Sequence, residues 1–180
     1  MEIIVADKYG FCGGVKRAVK MAFDNAEDGA YSYGDLVHNE KIVEELKDKG
    51  VKTIDDTDVE NSKVIIRSHG VHKSILNELE EKNNQIINCV CPKVEKVYNI
   101  VDNFYKKGYN ILIIGNQDHP EVVGINSRCN DSATIISDLE DIKVPEGKLV
   151  VVSQTTNNVD FFEKAINIIK DISKDEVLVY

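Results

Sequence analysis

Short β-branched runs alternate with amphipathic helical patterns along the whole chain, and this alternation constrains the fold more than any other feature. Several runs are continuously apolar, as is typical of parallel strands buried on both faces. The alternation predicts an α/β fold with mostly parallel sheets flanked by helices. We predict strands at residues 3–6, 31–34, 51–54, 64–68, 86–90, 110–115, 133–137, 149–153 and 177–180. We predict helices at residues 41–50, 73–84, 94–109 and 161–172.

The chain also repeats three landmarks in the same order. Each copy has a cysteine before a helix, a glycine that ends a strand and a serine that ends an apolar strand. These are Cys12, Gly34 and Ser68, then Cys91, Gly115 and Ser153. A period near 80 residues is too long for a solenoid and indicates two copies of one α/β domain. We therefore expect similar domains at residues 1–91 and 92–180.

The same period predicts what would come next. Cys91 follows the strand at 86–90, and the equivalent strand of the second copy is 177–180. A third cysteine is therefore expected a few residues after Tyr180.

Composition limits the functional classes. With 22 Lys+Arg against 31 Asp+Glu, the formal net charge is −9, which disfavours general nucleic-acid binding. No apolar run approaches the roughly 20 residues that span a bilayer, so no membrane partner is expected. The first ten residues lack the basic flank and apolar stretch of a signal peptide, so we expect a cytoplasmic location.

The four cysteines are not expected to form disulfides in a chain without a secretion signal. Cys12 lies between glycines at a strand-to-helix turn, where the helix N-terminus favours the thiolate that binds metals. Cys91 has the same setting, with Pro92 at the first helical position. We therefore interpret Cys12 and Cys91 as candidate metal ligands, Cys89 as a core residue and Cys129 as an incidental residue of a polar loop. Buried, inert thiols are the alternative.

Three of the four histidines follow strands directly. His38, His69 and His119 occupy loops at predicted strand ends, whereas His72 is interpreted as a surface residue. Ligands bind outside the carboxyl ends of parallel strands, so these three imidazoles are expected to share one site.

Two polar segments accompany these histidines. His119 and Glu121 lie close enough in sequence to relay protons. A helix opening would explain Pro120 and Glu121 equally well, but not His119. The polar run at 153–157 is either a helix cap or a hydrogen-bonding wall for a polar substrate, and both can hold.

Together these motifs resemble the LytB/IspH family, the 4-hydroxy-3-methylbut-2-enyl diphosphate reductases of the non-mevalonate isoprenoid pathway. The resemblance covers the N-terminal two-thirds of the family's length. The matching segments are Gly10–Val15, Val37–Asn39, Ser68–Val71, Cys91–Val94, His119–Val122 and Gln154–Thr156.

The resemblance implies three similar α/β domains in a trefoil arrangement around a central cleft. It also implies a [4Fe–4S] cluster on three cysteines, of which Cys12 and Cys91 would be two. The fourth iron, without a cysteine, would bind the allylic oxygen of the substrate and pass in electrons.

It further implies roles for the polar residues. His38 and His69 are similar to the family's diphosphate-binding histidines, which as imidazolium ions would make charge-assisted bonds to phosphate. His119 is similar to another ligand-side histidine, Glu121 to the proton source, and Thr155 to the residue that orients the substrate hydroxyl and Glu121.

The implied reaction is the two-electron reductive dehydroxylation of (E)-4-hydroxy-3-methylbut-2-enyl diphosphate. It gives isopentenyl and dimethylallyl diphosphate, with electrons from a ferredoxin- or flavodoxin-type donor.

The chain departs from the family at Val123, where an acidic residue is often found, and in lacking the third domain with its cysteine. We therefore expect a truncated or split chain that is weakly active or inactive alone. Two other readings remain: a non-catalytic α/β fragment without cofactor, and a zinc hydrolase built on His38, His69, His119 and Glu121.

Overall fold

The computed structural model describes residue 4 and residues 9–180 of the chain. The predicted strand at 3–6 falls almost entirely outside the described residues. The other eight predicted strands are present, each within one or two residues of its expected start. They are β1 (Tyr31–Tyr33), β2 (Lys52–Ile54), β3 (Lys63–Ile66), β4 (Gln85–Asn88), β5 (Asn110–Ile114), β6 (Thr134–Ile136), β7 (Leu149–Ser153) and β8 (Val177–Val179).

The described strands form two four-stranded sheets with the same topology. The first sheet has the order β2-β1-β3-β4 and the second has the order β6-β5-β7-β8. Every pairing in both sheets is parallel. Tyr33 at the end of β1 pairs with Ile66 of β3, and at the equivalent place in the second sheet Ile114 of β5 pairs with Ser153 of β7. The α/β class with parallel sheets is therefore confirmed, and equivalent landmarks of the sequence repeat occupy equivalent strands.

Helices cover both faces of these sheets, and local signals explain where they begin. Asn39 caps α2 by accepting a hydrogen bond from the Ile42 N–H. Pro92 and Pro120 are the first residues of α4 and α5, where the N–H that proline lacks would make no hydrogen bond within the helix. The helices are α1 (Gly13–Asn25), α2 (Glu40–Asp48), α3 (Lys73–Glu81), α4 (Pro92–Tyr105), α5 (Pro120–Asn126) and α6 (Val159–Ile172), with a 3₁₀ helix at Ser127–Cys129.

Three apolar clusters hold the layers together. One packs α1 and α2 against the first sheet around Ile65, and another packs α6 against the second sheet around Leu112 and Val151. The largest cluster contains side chains of both sheets, including Val64 and Val150, together with α4 and α5. The two sheets are therefore joined through a shared apolar layer, which fixes the loops of one sheet relative to those of the other.

Tyr98 of α4 lies in this shared layer, with its hydroxyl between two glycines. A Cβ atom at Gly70 or at Gly124 would lie 2.1 or 2.0 Å from the Tyr98 hydroxyl oxygen, so no larger residue fits at either position without a shift. The same hydroxyl donates to the carbonyl oxygen of His69 at 3.4 Å. Tyr98 thereby connects α4 with the turn after β3.

None of the helices within the described residues combines the length and the apolar character that crossing a membrane requires.

Candidate active site

The three predicted imidazoles converge at the carboxyl ends of both sheets. His38 and His69 follow β1 and β3 of the first sheet, and His119 follows β5 of the second. The ring centroids lie 4.4 Å apart for His38 and His69, 5.7 Å for His69 and His119, and 6.5 Å for His38 and His119. The structure therefore brings together these side chains from loops that are up to 81 residues apart in the printed sequence.

The surroundings of His69 and His119 disfavour the imidazolium form. Burial lowers the pKa of His69 to about 4, with further lowering by His38, His119 and Arg67. The pKa of His119 is also lowered, first by burial and then by His38 and Arg67. In the absence of an anion, His69 is therefore a neutral imidazole at pH 7, because a half-buried ring next to other cationic groups is costly to protonate.

His119 has a structural function that we did not predict. It is the N-cap of α5, and its Nδ1 atom accepts a hydrogen bond from the Glu121 N–H at 3.1 Å. The helix opening therefore accounts for His119 as well as for Pro120 and Glu121. Because Nδ1 acts as an acceptor, the proton of the neutral ring resides on Nε2, where it can be donated to a ligand.

Glu121 is buried, with 1% of its surface exposed, and it is held by one partner. The Thr155 backbone N–H donates to Oε1 at 2.6 Å, and the Thr155 hydroxyl donates to Oε2 at 3.0 Å. Burial raises the pKa of Glu121, although the two hydrogen bonds from Thr155 oppose the shift. A buried carboxyl group with a raised pKa is suited to donating a proton near neutral pH.

Of the polar run at 153–157, Thr155 bonds to Glu121, and none of its residues is the N-cap of α6. The N-cap of α6 is Asn158, whose side chain accepts from the Phe161 N–H at 3.1 Å. Gln154 instead accepts from the Asn116 N–H in the loop before His119. The cap of α6 thus comes from the residue after this run, and the function of the run as a wall for a polar substrate stays a prediction.

The sulfur atoms of Cys12 and Cys91 both lie near Gly14. A Cβ atom at Gly14 would be 2.5 Å from Cys91 Sγ and 4.0 Å from Cys12 Sγ, so both sulfur atoms lie close to the first turn of α1. Each cysteine is an N-cap residue whose side chain caps nothing, Cys12 for α1 and Cys91 for α4. Backbone N–H groups of Val15 and Gly14 help to lower the pKa of Cys12. Both thiols therefore lie at helix N-termini, and for Cys12 this setting favours the thiolate.

This pair adjoins the histidines. The Cys91 N–H donates to the Ser68 carbonyl at 2.9 Å, and Ser68 directly precedes His69. Lys93 and Thr155 line a common cavity of about 390 Å³, which brings the start of α4 next to the loop that holds Glu121.

The donor set fits part of an iron–sulfur site. Two unpaired thiols near a glycine at helix N-termini are suitable ligands for such a cluster. Within residue 4 and residues 9–180, however, no group of three or more His, Cys, Asp or Glu side chains is arranged to hold a metal ion. Among the described residues, Cys12 and Cys91 are the two cysteines that fit as ligands, and a cluster held by three cysteines would need a further one. The same finding gives no support to a zinc site on the histidines and Glu121.

The remaining cysteines and His72 are placed elsewhere. Cys89 is fully buried in the core, as predicted. The placement of Cys129 in a polar loop is wrong: it ends the 3₁₀ helix and is fully buried, with its Sγ donating to the Asn126 carbonyl at 3.1 Å. His72 is partly exposed and bonds through Nε2 to the Asp131 carboxylate at 3.0 Å, so it joins the two halves.

Sequence reasoning missed Arg67, whose guanidinium is close enough to lower the pKa values of His69 and His119. The available signal was a charged residue at the end of an otherwise apolar strand run. A separate cavity of about 510 Å³ between α3 and α4, lined by Tyr98 and Arg128 among others, contains none of the predicted site residues.

Comparisons with known proteins all point to one family. The family model described as LytB protein matches residues 3–178. A protein of Caldanaerobacter subterraneus subsp. tengcongensis named 4-hydroxy-3-methylbut-2-enyl diphosphate reductase is 40% identical, and the match covers 100% of this chain and 65% of that protein. A protein of the same name from Clostridioides difficile is also 40% identical, over 95% of this chain and 64% of that protein. The chain thus spans slightly less than two-thirds of the length of these curated relatives.

A solved structure shows the same fold. It is that of an (E)-4-hydroxy-3-methyl-but-2-enyl diphosphate reductase described as the terminal enzyme of the non-mevalonate pathway. It superposes with a TM-score of 0.82 and 31% identity, covering 99% of this chain and 66% of that one. With a family match over nearly every residue and close relatives of one name, the chain belongs to the LytB protein family.

Proposed function

We propose that this chain forms the substrate site of a 4-hydroxy-3-methylbut-2-enyl diphosphate reductase. The observation that carries the proposal is the convergence of three imidazoles, from loops of both sheets, near a buried carboxyl group and two thiols. The substrate would be (E)-4-hydroxy-3-methylbut-2-enyl diphosphate, and the products isopentenyl and dimethylallyl diphosphate.

The imidazoles would bind the diphosphate. A neutral ring can donate one N–H to a phosphate oxygen, and the negative charge of the bound anion would favour a second proton on the ring. His38 is exposed and His69 is half-buried, so the two rings would offer hydrogen-bond donors at different depths of the site. His119 would donate through Nε2, since its Nδ1 is already occupied.

Glu121 would supply the proton that allows the allylic hydroxyl to leave as water. Its raised pKa keeps a larger protonated fraction than an exposed carboxyl group has. Thr155 would orient both partners, because its hydroxyl already bonds to Glu121 and lies on the exposed side of that carboxylate. The overall change breaks one C–O bond and consumes two electrons and two protons.

Cys12 and Cys91 would be two of the cysteine ligands of a [4Fe–4S] cluster. When bound, this cluster would supply a Lewis-acidic iron and the electrons. A ferredoxin- or flavodoxin-type protein would be the electron donor. We also propose that residues 1–91 and 92–180 are two of the three domains of the family. Since the described residues offer only two cysteine ligands, we propose that the 180 residues alone turn over slowly or not at all.

Anaerobic reconstitution with iron and sulfide tests this function. The chain is incubated with the substrate and a one-electron reductant, alone and with the C-terminal third of the Caldanaerobacter relative, and the two products are measured by mass spectrometry. We expect product with the added segment, loss of product in C12S and C91S, and no loss in the control C129S.

The absence of both products in every wild-type arm would contradict the reductase assignment. Substantial turnover by the chain alone would contradict only the proposed dependence on further ligands.

A further inference from the structure

Arg67 occupies a distinct position behind the histidines. It follows β3 directly and is half-buried. Its Nε donates to the Gly70 carbonyl at 3.0 Å, which closes the short turn that carries His69. Gly70 itself has a φ of +80°, a conformation that glycine adopts without strain. Arg67 therefore fixes the backbone of the His69 turn.

The same guanidinium packs against the loop that carries His38. A Cβ atom at Gly34 would lie 2.8 Å from Arg67 Nη1 and 3.5 Å from its Cδ. Gly34 has a φ of +66° and begins the loop between β1 and His38. A side chain at position 34 would displace the guanidinium, so the glycine and Arg67 form one contact between the two histidine loops.

The positive charge of Arg67 is not neutralised by an ion pair among the residues that the structure describes. Asp35 is the acidic group that acts on it, and Tyr33 and Tyr98 are the other polar groups nearby. Its charge reaches both His69 and His119. A chain with a net charge of −9 thus keeps a permanent cation beside its cluster of imidazoles.

We propose that Arg67 is a positioning residue for anion binding: it ties the His38 and His69 loops together and provides the fixed positive charge against which a diphosphate is held. This inference rests on the diphosphate site of the proposed function. Imidazoles that are neutral before the anion binds offer it no permanent positive charge, whereas a guanidinium is charged at every physiological pH.

Calorimetric titration with inorganic pyrophosphate tests the inference on the chain as it stands. We expect Arg67→Met to weaken binding roughly 10- to 100-fold, because it removes both the permanent charge near the anion and the hydrogen bond that holds the His69 turn. Arg67→Lys keeps the charge and should recover most of the affinity. Arg128→Met is the matched control, because Arg128 is a half-buried arginine that stacks on Tyr98 with a distance of 4.3 Å to the ring centroid. It should bind like the wild type.

Histidine NMR titration without ligand provides a second readout that a purely structural role would not change. We expect the imidazole pKa values of His69 and His119 to rise in Arg67→Met and to return in Arg67→Lys. If Arg67→Met folds poorly, Arg67→Gln, which removes the charge but keeps a polar side chain, replaces it in both measurements.

The outcomes separate the two proposals. Pyrophosphate binding by the wild type that is unchanged in Arg67→Met, with unchanged histidine titrations, would overturn the role of Arg67 and leave the diphosphate site intact. A wild type that does not bind pyrophosphate would contradict the diphosphate site, and unchanged titrations would then overturn the electrostatic role independently.

Discussion

Replacing Gly14 by alanine tests whether the two site cysteines are as close to α1 as described. The new Cβ would be 2.5 Å from Cys91 Sγ and 3.4 Å from Cys91 Cβ. Non-bonded heavy atoms prefer separations of roughly 3.5–4.0 Å, so the sulfur would have to give by about 1 Å. Cys91 is half-buried, so its sulfur can move aside only by leaving its present rotamer and packing, and we expect a cost of about 1–3 kcal/mol of unfolding free energy.

Gly13 offers a matched control in the same helical turn. A Cβ atom there meets nothing within 4 Å, and both glycines belong to α1. Replacing either glycine by alanine raises helix propensity by up to about 1 kcal/mol, and this gain cancels when the stabilities of the two variants are compared. We therefore expect Gly14→Ala to be less stable than Gly13→Ala by about 1–3 kcal/mol.

Urea denaturation under anaerobic, reducing conditions measures this difference. Repeating the comparison in a Cys91→Ala background removes the sulfur, so the penalty at position 14 should largely vanish. Equal stability of the two alanine variants, within about 0.5 kcal/mol, would refute the close approach of Cys91 to Gly14. A penalty that persists without the sulfur would refute its assigned cause.

Three further predictions follow from the same geometry. Because the pKa of His69 is about 4 in the folded chain and about 6.5 when unfolded, the unfolded state binds the proton first as pH falls. Stability should therefore decline from about pH 6.5 to about pH 4, and His69→Gln should flatten this slope in pH-dependent denaturation. Thr155→Val removes one hydrogen bond that favours the Glu121 carboxylate, so carboxyl NMR titration should show a higher pKa for Glu121; an unchanged value would argue against that bond. Gly124→Ala should lower the free energy of unfolding by about 1–3 kcal/mol, because its Cβ would lie against the Tyr98 hydroxyl. A Tyr98→Phe background should recover part of this loss, and no coupling between the two changes would count against the contact.

The sequence predicted the features that depend on chain order and local pattern. Continuous β-branched runs predicted parallel buried strands, and the shared positions of Gly34 and Gly115 predicted two sheets of one topology. Since both sheets are parallel, His38, His69 and His119 could be assigned to the carboxyl ends before any coordinates were known. Their convergence also needed the two sheets to pack with those ends together, which the shared apolar layer provides.

Features that arise only from packing between the halves were not predictable. Tyr98 contacts Gly70 and Gly124, which are 54 residues apart, and neither glycine has a local pattern that indicates this. The neutral state of His69 depends on burial and on Arg67, which appeared only as a charged residue in an apolar run. The burial of Cys129 likewise follows from the contact of the 3₁₀ helix with α4, and not from the polar residues beside it.

The affinity for (E)-4-hydroxy-3-methylbut-2-enyl diphosphate, measured by calorimetry on single histidine variants, tests most directly whether both sheets build one anion site. We predict that His38→Ala, His69→Ala and His119→Ala each weaken binding by about tenfold or more, as expected for the loss of a hydrogen bond to a charged group. His72→Ala, which changes the histidine bonded to Asp131, should bind like the wild type. Loss of affinity confined to the histidines of one sheet, or equal effects at His72, would contradict a shared site.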